Sequence, residues 1–400
     1  PLNIVGTAQF KGVLDESLLC KALDIMQKWH PSLACSAYYD KDSRSWILQK
    51  SDAPIPLHIT VRTSDTHWQT IMSDELDNKL STSDGPFARV TYCKGGDRGE
   101  LIVTMHHSLS DGMSRTYFMF ELFQLIDDLK NNREIKPVVD HFLDISYHDL
   151  YDELTNNTYV PRSPNAHPKD VSGYKVFFIP FCFSKEETEK IQNKYRSCGS
   201  SLQTILSATV AKAVACNRAK RGDQSPFKIF CHNPINIRSN FKCAVLTGHD
   251  FGDWVSGVNT EHTIDAHVDI IQLSKEIKQQ LYAGIEEKKH LYFLQNMDRF
   301  ITTTDFSCQQ IFHTAQVDHP TATVSQLGTL DFPATYGDIT VEHISGLFNW
   351  RGCFVHEDTF IMTGAIFDHQ LMGMFACIEP VVSRADAQQM AECVKSLLIN

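Results

Sequence analysis

The run His106-His107-Ser108-Leu109-Ser110-Asp111-Gly112 gathers, within seven residues, side chains suited to moving a proton near neutral pH. Imidazole titrates there, so one histidine can take a proton from a hydroxyl or an amine and hand it to a leaving thiolate in the same cycle. Asp111 follows His107 by four residues, and Gly112 permits a backbone conformation or a close approach that a side chain would forbid. Two satisfied histidines ahead of an ordinary Asp-Gly turn are the bland alternative, and the residues alone leave it open. With 18 histidines and 20 glycines in 400 residues, the four fixed positions coincide by chance in roughly two or three such chains per thousand.

The elements that must position this run lie on either side of it. Residues 100–105 read as a strand that ends at the histidines. Residues 114–129 read as a helix in which Tyr117, Phe118, Phe120, Leu122, Phe123 and Ile126 exceed a single narrow stripe, so it is expected to be buried on most sides. Upstream, the patterns predict a strand over 4–10, a helix opened by Asp15 and stopped at His30-Pro31, a hairpin over 36–49, a helix over 68–79 and a strand over 86–92. Residues 156–172 are rich in proline, asparagine and serine without hydrophobic period and make the best linker. Beyond it the patterns give a strand (174–180), helices (185–195 and 202–217), a strand (227–237), a long helix (265–287), short strands and a closing helix (383–398).

Four hundred residues exceed one ordinary core and suit two subdomains of roughly 150 to 250 residues. The 42% hydrophobic and 21% charged residues match a globular chain that can bury a sizeable core. A formal charge of −11 and the lack of a basic run argue against a nucleic-acid partner. Twelve cysteines without a CxxC pair read as reduced thiols in a cytoplasmic protein. No stretch reaches the length of a membrane span. Because the sequence opens on Pro1 just before a strand-like segment, a short leader is expected ahead of it. His141 and His148 lie seven apart without a visible third ligand, so no metal site is assigned.

The run matches the HHxxxDG motif of the superfamily that includes chloramphenicol acetyltransferase-like enzymes, peptide-synthetase condensation domains and plant acyltransferases. Gly12-Val13-Leu14-Asp15 through Trp29-His30-Pro31-Ser32-Leu33 resembles the "G-x-L-D … R-H-P-x-L" opening of condensation-type sequences, with Trp29 where arginine is usual. Gly85-Pro86-Phe87-Ala88-Arg89 resembles the "G-P-L-x-R" strand, with Phe87 for the leucine. Residues 201–208 resemble the helix that opens the second half, and Pro234-Ile235-Asn236-Ile237-Arg238 resembles its "V-D-x-R" strand. In the order of these matches the chain looks most like free-standing polyketide-associated acyltransferases of the phthiocerol dimycocerosyl transferase type.

The resemblance implies an α/β (α+β sandwich) fold of two chloramphenicol-acetyltransferase-like subdomains in a V with a channel between them. The expected division is 1–155 for the N-terminal subdomain with the motif, 156–173 for the linker and 174–400 for the C-terminal subdomain. It implies His107 as general base, with His106, Asp111, Gly112 and Arg238 in support, Asp111 and Arg238 forming a structural ion pair. Ser325, in Val324-Ser325-Gln326-Leu327-Gly328, resembles the family's "S-N-x-G" stretch and is a candidate oxyanion donor beside the equal reading of a turn serine. Residues 249–254 are similar to the DFGWG signature of plant acyltransferases, but they stand about 150 residues from the last residue and are read as a structural loop. Asn349-Trp350-Arg351-Gly352 and Asp368-His369 either line the channel or pack.

The function so implied is acyl transfer from a CoA or acyl-carrier-protein thioester to a small-molecule alcohol, with no cofactor beyond that co-substrate, by a monomer. Three alternatives stand beside it: a condensation enzyme forming an amide with an amine, a non-catalytic docking module for a carrier protein, and a hydrolase using His107 to activate water.

Overall fold

The computed structural model describes residues 2–42, 45–142, 145–150, 154, 173–243, 245–303, 320–350 and 358–400. They form two compact units, each a sheet with helices, so the α/β reading holds. The units are not the two continuous halves expected on either side of a linker. The first takes Pro1–Asp149, Ile237–Trp254 and Leu330–Asn349, and the second takes Leu150–Asn236, Val255–Thr329 and Trp350–Asn400. All but one residue of the expected linker falls outside the described residues, as do Arg351 and Gly352.

In the first unit, β1 (Asn3–Lys11), α1 (Glu16–Trp29), the hairpin β2 (Cys35–Asp40) and β3 (Ser45–Lys50), β4 (Leu57–Val61), α2 (His67–Asp77), β5 (Ala88–Lys94), β6 (Arg98–His106) and α3 (Gly112–Lys130) follow in order. Asp15 caps α1 by accepting from the Ser17 and Leu18 amides. In the second unit come β7 (Lys175–Cys182), α4 (Lys185–Ser197), α5 (Leu202–Arg221), β8 (Phe227–Asn236), β9 (Val255–Ile264), α6 (Ile270–Glu286), α7 (Lys289–Thr303) and β10 (Ala322–Thr329). The short β11 (Thr335–Tyr336) and β12 (Ile339–Phe348) return to the first unit, and β13 (Phe360–Phe367), β14 (Gln370–Glu379) and α8 (Arg384–Ile399) complete the second.

The first sheet has the order β11-β12-β1-β6-β5-β4, and the second β7-β14-β13-β10-β8-β9. β12 pairs antiparallel along nearly all of β1, from Ile4 opposite Phe348 to Lys11 opposite Thr340. That ladder is why a stretch from beyond residue 330 counts with the first unit. In the second unit α5 is buried along most of its length, and Ile205, Val210 and Val214 join Ile229, Val324 and Phe375 in one core. Among the described residues no helix is long and apolar enough to cross a membrane, and the described cysteines are free thiols.

One packing detail fixes α3 against the first sheet. Gly6 on β1 stands opposite Gly346 on β12, and a Cβ at either position would overlap the guanidinium group of Arg115, which leaves α3 to lie over both. Arg115 Nη1 donates to the Val5 carbonyl at 3.1 Å. Burial pulls this guanidinium down to about 10 while Asp111 works in the other direction, so the cation persists at neutral pH. The paired glycines are a slot for a long side chain. Gly346→Val is therefore expected to destabilise the protein by about 1–3 kcal/mol through overpacking, read as a lower urea midpoint; an unchanged midpoint would show that the slot is dispensable.

Candidate active site

β6 ends at His106, whose amide donates to the Phe87 carbonyl at 2.9 Å, and the next amide, of His107, donates to Leu2 O at 2.9 Å. Both neighbouring strands of the sheet thus hold the chain up to the first turn residue. A single 3-10 turn over His107–Leu109 follows, and Asp111 then caps α3 by accepting from the Ser114 amide at 2.8 Å. Gly112 is the first residue of α3.

The two histidines differ in surroundings. His106 Nδ1 bonds the Ser108 hydroxyl at 2.6 Å and accepts from the Ser108 amide at 3.3 Å, so the ring is used in shaping the turn. Burial and the adjacent His107 push its pKa down to about 4, and it stays neutral. His107 keeps 16% of its side chain exposed, meets the Phe348 ring edge-on at 5.6 Å, and turns Nδ1 toward Asp253 Oδ1 at 3.5 Å. Burial resists protonation of His107, but the Asp253 charge outweighs it and lifts the ring to about 9.

Asp111 is directed elsewhere. Arg238, in the 3-10 turn Arg238–Asn240, donates from Nη1 to Asp111 Oδ2 at 2.7 Å and from Nη2 to Oδ1 at 3.1 Å, a bidentate pair with both residues 4% exposed. Nη2 also reaches the Ser114 hydroxyl at 2.8 Å. Burial alone would raise the Asp111 carboxyl, yet Arg238 and the Ser114 bonds hold it below the usual carboxylate range. Arg238 belongs by its contacts to the first unit, with the rest of Ile237–Trp254.

That excursion is closed by the Ile237 amide donating to Trp254 O at 3.0 Å, and it is bonded to the motif throughout. Gly252 donates its amide to Ser114 Oγ at 3.2 Å and accepts from the same hydroxyl at 3.1 Å. The Trp254 amide donates to Asp111 Oδ2 at 3.2 Å, and its indole nitrogen to Asp250 O at 3.0 Å. The Tyr147 hydroxyl donates to the Asp253 carbonyl. Reading residues 249–254 as a structural loop agrees with these bonds. What sequence reasoning missed is Asp253, which the loop delivers to His107. Its only signal was the likeness to the plant signature, which carries no information about a histidine.

A second cluster anchors the same excursion. His30, 0% exposed, lies between Asp140 Oδ2 at 2.7 Å on Nδ1 and Glu121 Oε2 at 2.8 Å on Nε2, and stacks on Phe251 at 3.7 Å. Glu121 also bonds His249, while Asp140 accepts from the Phe251 amide at 3.3 Å. Burial opposes charge on His30, but Asp140 and Glu121 raise its pKa above the ordinary value, and His249 and His30 hold the buried Glu121 below its own.

The remaining expected residues have partners of their own. Ser325 sits in β10, in the second unit, opposite Thr363 of β13. His141 bonds Asp250 Oδ1 at 2.8 Å, and among the described residues no group of three or more His, Cys, Asp or Glu could hold a metal ion. Asn349 donates to the Leu76 carbonyl at 2.8 Å and so packs within the first unit. Asp368 and His369 form the β13–β14 turn with positive φ of 44° and 66°.

Two family models match the chain: Condensation domain over residues 3–213, and Phthiocerol/phthiodiolone dimycocerosyl transferase C-terminus over residues 180–355. The phthiocerol/phthiodiolone dimycocerosyl transferase of Mycobacterium leprae (strain TN) is 31% identical over 138 residues, 33% of this chain and 31% of that protein. The match thus spans about a third of that relative's length. Among solved structures, the polyketide synthase associated protein 5 from Mycobacterium tuberculosis superposes with a TM-score of 0.65 at 18% identity, covering 100% of this chain and 94% of the other. The first condensation domain of the CDA synthetase gives 0.71 at 14%, covering 99% and 90%. The epimerization domain from the third module of tyrocidine synthetase B gives 0.68 at 14%, covering 100% and 90%. Those three likenesses bear on the fold, which hosts more than one reaction.

Two outcomes follow from the ion networks. Arg238→Ala leaves Asp111 buried and uncompensated, so unfolding free energy should drop by about 3–5 kcal/mol, measured by urea denaturation. A raised histidine pKa stabilises below the ordinary value of 6.5 and loses that contribution as pH rises through the folded value. The wild-type melting temperature should therefore decline on the alkaline side of 6.5, and His30→Gln should flatten that decline; equal slopes would contradict a charged His30.

Proposed function

The chain belongs to the condensation-domain family, and from that premise we propose that it is an acyltransferase in which His107 is the general base for moving an acyl group from a CoA or carrier-protein thioester to an alcohol. One observation carries the assignment of the base. Within a single turn, His106 Nδ1 is taken up by Ser108 and Asp111 by Arg238, while His107, partly exposed, turns its Nδ1 toward the Asp253 carboxylate. Nε2 is then the nitrogen left to take a proton.

The chemistry is a direct transfer. As the acceptor oxygen bonds to the thioester carbonyl carbon, its proton passes to His107 Nε2; the carbon–sulfur bond then breaks and the thiolate takes that proton. Neither an acyl-enzyme nor a resident cofactor enters the scheme. Ser325 remains the candidate oxyanion donor on its resemblance alone. Support for the ester over other products comes from the family model over residues 180–355 and from the M. leprae relative, itself named a transferase. We place the protein in a reducing cytoplasm, where its cysteines stay thiols.

Amide formation with an amine acceptor is the second reading, favoured by the condensation-domain match over residues 3–213. The same base serves both, and only the acceptor decides. Thiol release from a panel of acyl-CoA and acyl-carrier-protein donors, with products identified by mass spectrometry, separates them: an ester supports the first reading and an amide the second. His107→Ala should lower turnover by roughly 10²–10⁴-fold. Release that continues without alcohol or amine would mark a hydrolase, and equal release by wild type and His107→Ala would leave only a docking role. Because Asp253 lifts His107 to about 9, kcat/KM should rise with pH up to that value.

A further inference from the structure

His107 Nδ1 and Asp253 Oδ1 are both buried atoms with no hydrogen bond of ordinary geometry, and they face each other across 3.5 Å; the other group acting on the ring as an acceptor is the main chain of His107 itself. Buried polar atoms are almost always paired. Two that lack partners and stand opposite one another are halves of one bond, opened by about half an ångström beyond ordinary N–H···O length.

The backbone around Asp253 is over-determined for this purpose. On one side Gly252 is held through both its amide and its carbonyl by Ser114; on the other the Trp254 amide is held by Asp111; Tyr147 holds the Asp253 carbonyl itself. Each of these bonds uses main-chain atoms of the loop, so together they leave the Asp253 side chain as the loop's one contribution to the histidine. The acid is also distinct from the motif aspartate, whose two oxygens are taken by Arg238.

We propose that Asp253 is the positioning residue for His107: its carboxylate accepts the Nδ1–H, which fixes the imidazole in the tautomer whose Nε2 is unprotonated and holds the ring while it carries the acceptor's proton. The inference rests on the reading of His107 as general base. In the transfer, no proton moves onto Asp253; the carboxylate stays ionised and faces the imidazolium formed when Nε2 is protonated. Among the described residues, the charged and titratable groups that act on His107 are His106 and Asp111 on its own turn and Asp253 on the loop, while β12 presents the Phe348 ring. Of these only Asp253 approaches Nδ1 directly.

The test is a titration of His107 by NMR in the full chain labelled at histidine Cε1, the signal being identified by its loss in His107→Gln. In Asp253→Asn the midpoint should fall from about 9 toward the unperturbed imidazole value near 6.5. In Asp253→Glu it should stay high. Activity should follow, with kcat lower by roughly 10- to 100-fold and KM little changed in the asparagine variant, the acidic limb of the pH profile shifted downward, and partial recovery with glutamate. If Asp253→Asn does not fold, Asp253→Ser removes the charge while keeping every main-chain bond. A His107 midpoint unchanged in the folded, charge-free variant overturns the inference. Activity surviving in His107→Ala would instead overturn the general-base reading, and the titration would still decide whether the two side chains are paired.

Discussion

The buried pair of Asp111 and Arg238 is the constraint around which the first unit is arranged. Two ions leave water at about 4% exposure each, which costs several kcal/mol per ion and is offset only where geometry and further hydrogen bonds are good. Here they are: both carboxylate oxygens accept from the guanidinium, and the Ser114 amide, Ser114 hydroxyl and Trp254 amide supply the rest. The pair joins stretches 127 positions apart in the chain. Because it consumes the aspartate of the motif, that residue is unavailable to the histidine four positions before it. The turn can then be rigid without its acid taking part in proton transfer.

Around this pair the first unit uses a chain of side-chain bonds to hold an irregular segment. His249, Glu121, His30 and Asp140 follow one another as alternating imidazole and carboxyl groups, and Phe251 stacks on the His30 ring. A loop has few ladder bonds of its own, so side-chain bonds must substitute for them if a residue on it is to be placed within tenths of an ångström. The segment 237–254 has such bonds at Arg238, Thr247, His249, Asp250, Phe251, Gly252 and Trp254. Residue 253 sits inside that run.

Much of this was legible in the sequence because it depends on local pattern. The helix after the motif, the helix opened by Asp15, the hairpin over 36–49 and the closing helix all follow from periodicity and capping residues, and the structure places them within a few residues of expectation. β9 was harder, since its inward positions include Ser256, Thr260 and His262, so burial there does not appear as a hydrophobic period. β4 is a short edge strand with Ile59 and Val61 exposed, a weak signal for the same reason. The discontinuous first unit could not be read from composition, because nothing local in residues 339–348 names β1 as their partner. Asp253 escaped for a related cause: its significance lies in a contact across 146 positions with His107.

The place of β12 in the first sheet also governs the order in which that sheet can be completed. β1 lies between β6 and β12, and roughly 230 residues separate the end of β6 from the start of β12. At a synthesis rate of about 5–20 residues per second the ribosome needs on the order of 10–50 seconds to cover that distance. Throughout it the nascent chain carries β1 as an open edge, with main-chain donors and acceptors free to recruit any passing strand. Sheet closure therefore waits until β12 has been synthesised, and the interval before it is when that open edge is exposed to wrong pairing.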